Sequence, residues 1–216
     1  MAISATELPI INEALTKVGQ RRITAAQLAT PDNKASNLAD DTYENHRDQL
    51  LEDHPWNFAI ERASIVKEST TPIFDFNYEY AYPDGTTPAD KLYALRILKI
   101  NDDLLWAWGQ WGWIPQPGFS MWKSEGRKIL SNIDTPLEVR YIGRVTTYAT
   151  MSAMFKDLLA QKLAMEWAEP LTGSTALGTE TERRFTRKLG EARSIDGQEG
   201  IPDPIETSSW LMERFT

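Results

Sequence analysis

A chain of 216 residues with 41% hydrophobic and 25% charged side chains is long enough to bury one sizeable core, alone or with a small appended module. A formal charge of −8 argues against holding nucleic acid by the general surface field, and the lack of cysteine removes disulfides, thiolate metal ligands and cysteine nucleophiles together. No apolar run approaches the ~20 residues that cross a bilayer, and "MAISATELPII" lacks the basic start and long apolar stretch of a secretory signal.

The first helix is expected over 6–18, where Leu8, Ile11, Leu15 and Val18 recur at helical spacing and Gly19 fits the position past the end. Thr6 is the better cap than Ser4, because Pro9 would then fall in the first turn, where its missing N–H removes no helical bond. A second helix fills 32–53. Its residues Ala35, Leu38, Ala39, Thr42, Tyr43, His46 and Leu50 lie within about 140° of arc at ~100° per residue. His54-Pro55 ends it, since proline disfavours helical geometry at the residue before it, and the turn drops Trp56 and Phe58 onto whatever the helix packs against.

From 65 to 148 the period changes to two. Phe74, Phe76, Tyr78, Tyr80 and Tyr82 alternate, and residues 92–100, 127–130 and 136–145 also read as strands between Pro-, Gly- and Asp-rich turns. Helix returns over 152–169, where Phe155, Leu159, Leu163 and Trp167 form an i, i+4 row. Met154, Leu158 and Met165 widen its apolar arc enough to suggest burial on more than one side. Pro170 and Gly173 are expected to end it, and Thr179 with Glu182 to cap a last helix carrying Phe185, Leu189 and Ala192. Beyond Gly197 the chain reads as an extended arm. The expected fold is therefore α+β: an antiparallel bundle of about four helices (1–64 and 149–198), an inserted antiparallel β module (65–148) and a C-terminal arm (199–216).

The sequence contains no Gly-rich phosphate loop and no HExxH or GxSxG motif. The two histidines, His46 and His54, would lie about 12 Å of helical rise apart, too far to chelate one ion, and read as a core histidine and a turn residue. Carboxylate pairs such as Asp40/Asp41 and Asp102/Asp103 read as solvated surface. Neither a catalytic constellation nor a cofactor site is expected.

Three clusters suggest contacts instead. In "WAWGQWGW", Trp106, Trp108, Trp111 and Trp113 are suited to packing the β module, to a protein interface or to stacking on sugars. Arg183, Arg184, Arg187 and Lys188 make a basic strip of i, i+4 neighbours, either a solvated face or one that pairs with an acidic partner or a neighbouring copy. The arm ends in "WLMERF", whose Trp210, Leu211, Met212 and Phe215 either dock on their own domain or insert into a partner.

The order of several stretches resembles the tail tubular protein A family of short-tailed phages. They are "EALTKVGQRRIT", "YENHRDQLLEDHPWNFAIERA", "YEYAYP", "LYALRIL", "EGRKILSN", "VRYIGRVT" and "LLAQKLAMEWAEPLTGS", with "HPWNFAI" and "PLTGS" the most specific. The resemblance spans about 8–198 and implies a structural virion protein made in the host cytoplasm. It implies an adaptor that multiplies into a closed, twelve-fold ring between the portal protein and the tail nozzle. The helices would form the ring wall, the β module would face the nozzle and the tail fibre or tailspike, and the C-terminal segment would reach into the portal. DNA would pass through the lumen without specific binding, and no membrane contact is implied. In this reading Trp210, Leu211, Met212 and Phe215 serve the portal and Trp106, Trp108, Trp111 and Trp113 the tail side. Arg183, Arg184, Arg187 and Lys188 lie between subunits, and His54, Pro55, Trp56 and Phe58 form the joint between wall helix and β module. The competing function is a tail-associated glycan hydrolase of cell wall or capsule, with the tryptophans as a sugar platform.

Overall fold

The computed structural model describes residues 5–86, 92–100 and 122–199. A 3-10 turn at Ala5–Glu7 leads into helix α1, Leu8–Lys17. Pro9 lies in the first helical turn, but the cap residue is Glu7 rather than Thr6, because the 3-10 turn supplies the entry in place of a side-chain cap. Gly19 takes φ +72° past the end. There its N–H bonds the Thr16 carbonyl at 3.1 Å while Gln20 N–H bonds Leu15 at 2.8 Å, satisfying two of the terminal carbonyls.

A short helix α2, Ala25–Ala29, follows a capping box of Thr24 and Gln27. Five residues cannot display a helical period, so the sequence pattern does not announce it. Helix α3, Lys34–Asp53, starts at a second capping box, Asn33 with Ser36, and stops where His54 turns extended at φ −143°, ψ 141° ahead of Pro55. Its buried face is rotated slightly from the expected stripe. Ala39, Tyr43, Leu50 and Leu51 are buried, and Arg47 is buried where His46 was expected to be.

Among the described residues six strands follow: β1 Ile60–Ile65, β2 Tyr78–Ala81, β3 Ala94–Ile100, β4 Trp122–Glu125, β5 Lys128–Ser131 and β6 Leu137–Gly143. They form two antiparallel sheets, ordered β1-β6-β3 and β2-β5-β4. Strand β1 begins at Ile60, ahead of the boundary expected at 65, and β4 has no counterpart among the expected strands. The aromatic alternation pairs only over β2. Phe74 and Phe76 sit in the preceding loop, bent at Asp75 with φ +68°, and Tyr82 lies just past the strand.

Helix α4, Ala153–Thr172, is capped by the Ser152 hydroxyl. Pro170 does not end it. The proline falls in the last turn, and the helix runs on to Thr172, where Gly173 at φ +68° closes it through its N–H on Glu169. Helix α5, Thr175–Asp196, is capped by Ser174. Thr179 and Glu182 therefore lie inside the helix rather than at its start, and the Thr179 hydroxyl bonds back to the Thr175 carbonyl.

Helix α4 is the centre of the helical packing: α1, α3 and α5 all lie against it. Phe155, Leu158, Leu159, Ala160, Leu163, Ala164, Trp167 and Ala168 are buried around most of its circumference, the two-sided burial that its wide apolar arc suggests. A second apolar cluster holds Tyr80, Ala94, Ile97, Ile129, Leu137, Val139 and Tyr141 of the two sheets. Strand β6 serves both clusters. Leu137, Val139 and Tyr141 point to the sheet cluster, while Ile142, with Val145 just beyond, joins the helical one.

Candidate interaction surfaces

The His-Pro corner is built by burial and closed by the last helix. Trp56 is 1% exposed; its indole N–H donates to the Leu50 carbonyl at 2.8 Å and its ring meets Phe155 edge-on at 5.4 Å. Phe58 packs on the same Phe155 at 5.0 Å. His54 lies edge-on to Trp56 and places Nε2 3.1 Å from Oδ2 of Asp196, at the end of α5. Asn57 donates its backbone N–H to the other Asp196 oxygen at 3.1 Å and its side-chain amide to the Asp196 carbonyl at 2.6 Å. Arg193 adds an ion pair to Asp53. The corner thus ties α3, β1 and the end of α5 together. His54, Pro55, Trp56 and Phe58 gather there, and Asp196, 142 residues along the chain from His54, is the partner that local sequence reading misses.

The basic strip divides in two. Lys188 turns inward and bonds Asp157 of α4 at 3.1 Å, where Lys17 of α1 meets the other carboxylate oxygen at 2.8 Å. Burial alone would raise the Asp157 pKa, but hydrogen bonds from Lys17 and Lys188 outweigh it and hold the carboxyl below its usual range. Burial likewise disfavours charge on Lys17, yet Asp157 and Glu13 bring its pKa above the ordinary value. The Asp157 bond raises that of Lys188. Arg183, Arg184 and Arg187 stay on the outer face; Arg184 pairs with Glu180 at 2.8 Å and Arg187 lies 3.9 Å from Glu191.

A buried ion pair sits at the start of the bundle. Arg47 and Glu7, with side chains 3% and 4% exposed, approach to 3.2 Å, and Arg47 also holds Asp48 at 2.9 Å. Burial acts against the Arg47 charge, but Asp48 and Glu7 reverse the direction and raise its pKa. Burial, followed by the nearby Glu7 charge, pushes the Tyr43 hydroxyl well above its ordinary value. His46 is half-buried against α4, and desolvation lowers its pKa.

Among the described residues the most exposed large apolar side chains stand on the loop between β1 and β2: Ile73 is 98% exposed and Phe74 74%, with Val66 74% exposed at its start. Register places this loop at the same end of the β2-β5-β4 sheet as Trp122, because Tyr78 and Trp122 both pair with Ser131. The period-two alternation places Phe74 on a strand face, whereas the chain before β2 is a loop that holds it at the tip. Trp106, Trp108, Trp111, Trp113, Trp210, Leu211, Met212 and Phe215 lie outside the described residues. Among the described residues no group of three or more His, Cys, Asp or Glu is placed to hold a metal, and no helix is long and apolar enough to cross a membrane. No protein-family model matches the chain, and no curated protein is significantly similar to it.

Proposed function

We propose that this chain is a structural virion protein of the tail tubular protein A kind, a ring-forming adaptor between portal and tail nozzle whose lumen passes DNA. The observation that carries the reading is where its two most specific stretches fall. "HPWNFAI" forms the buried corner between α3 and β1, and "PLTGS" forms the last turn of α4 with its Gly173-Ser174 connection to α5, so one sits at a helix–sheet joint and the other at a helix–helix joint. An order of three helices, two small sheets and two helices, with such joints, suits a subunit that presents rigid faces to neighbours.

The exposed Ile73 and Phe74 support the same reading, since contiguous apolar side chains held bare in water mark surface that another protein covers. On this reading the loop tip faces the tail side, nozzle or fibre, and the C-terminal arm reaches the portal. Truncation after Gly200 tests the arm. The shortened chain is expected to melt as the full chain does and to lose co-sedimentation with portal rings; undiminished co-sedimentation would contradict the assignment.

A further inference from the structure

We propose that the groove lined by Arg21, Arg22 and Lys34 receives the acidic face of α3 from a second copy of this chain. The proposal rests on the ring reading for its expectation that copies meet, and adds which surfaces meet.

The groove, about 740 Å³, lies between the α1–α2 connection and the start of α3, with Gln20 and Gln27 among its walls. Among the described residues none of its three cations joins an ion pair. Arg22 reaches only the Thr16 hydroxyl, at 3.4 Å, and the Lys34 ammonium rests on the Pro170 carbonyl. The outward arginines of α5 differ, because Glu180 and Glu191 already offset two of them. On a chain of charge −8, the groove gathers three cations that have no carboxylate partner among the described residues.

The complementary feature is on α3. At ~100° per residue, Asp40, Asp41, Glu44, Asp48 and Glu52 share about 120° of its circumference. Asp48 is neutralised by Arg47 and Arg144, whereas Asp40, Asp41, Glu44 and Glu52 have no ion pair among the described residues. Lys34 begins the same rigid helix, so these carboxylates cannot fold back into their own groove, and a second copy must supply the acid. Groove and acidic face are different surfaces. A head-to-tail contact of this kind repeats into a closed ring if the rotation closes, whereas a reciprocal one stops at a pair. A DNA duplex fits less well. With one charge per ~1.7 Å it would extend past the groove and over the carboxylates of α3. Exposed arginine–carboxylate pairs are individually weak and salt-sensitive, so the contact gains from repetition around a ring.

Because the chain has no cysteine, the single variants Gln20→Cys in the groove and Asn45→Cys beside Glu44 report contacts between copies without background. On oxidation, the mixture is expected to give about fivefold more disulfide than either variant alone. The excess should vanish near 1 M salt, where the screening length falls to ~3 Å, and in an Arg21→Glu/Arg22→Glu background that melts normally. A mixed yield no higher than the single-variant yields, or one indifferent to salt, overturns the proposal. So does tight binding of a short duplex that the same double substitution abolishes. The mass of the wild-type chain, with portal rings present, separates the two ideas. Assembly that survives Arg21→Glu/Arg22→Glu keeps the ring and removes this contact. A mixed disulfide in a chain that never exceeds a pair keeps the contact and removes the ring.

Discussion

Replacing Trp56 by alanine should cost about 3–5 kcal/mol, because the indole is fully buried among Phe58, Phe155 and the end of α3 and its N–H holds the Leu50 carbonyl. A melting temperature equal to wild type would contradict that. Glu7→Ala should cost about 3 kcal/mol by leaving a buried guanidinium with Asp48 alone, and pairing Glu7→Leu with Arg47→Met should recover most of it, read by urea denaturation. The two sites differ in how far sequence shows them. Pro55 announces a corner and the aromatics around it announce burial. Arg47 reads as surface, because its buried partner is 40 residues away and a charge gives no apolar signal.

At the scale of elements, Asp157 holds α1 and α5 to α4 through Lys17 and Lys188. Its folded pKa is depressed, so its contribution is present above the unfolded value of about 3.9 and is lost as pH falls through the folded one. Asp157→Asn should therefore cost about 1 kcal/mol at neutral pH, and the gap to wild type should close as pH falls through the depressed folded value, measured by thermal melts across pH. Phe74→Ser should leave stability within about 0.5 kcal/mol while weakening capture of the nozzle or fibre protein, because that ring touches solvent rather than core. The long helices were legible because an apolar stripe repeats over many turns. Helix α2 was not, since five residues show too little of a helical period, and neither were β1 and β4, whose Glu61, Arg62, Lys123 and Glu125 leave too few apolar positions to show alternation. Pro170 misled for a related reason: proline breaks a helix interior, but in the last turn it gives up only one bond before Gly173 ends the helix.

For the whole molecule, helices packed on α4 and the two sheets meet through β6 and through the corner locked by Asp196. Among the described residues the surface carries a bare apolar tip, a basic groove with no carboxylate partner and, on α3, the carboxylates Asp40, Asp41, Glu44 and Glu52 with no ion pair. Each is costly or idle on an isolated copy and useful in an assembly. Helix–sheet–helix order was readable from periodicity, whereas the pairing of a groove with a helix face depends on contacts between chain segments far apart. The most direct test is the mass of the full-length protein in solution, alone and mixed with portal rings, at low and high salt. A closed multimer on the portal that loosens as salt rises is the result expected. A chain that remains a single copy beside the portal under every condition would contradict the ring.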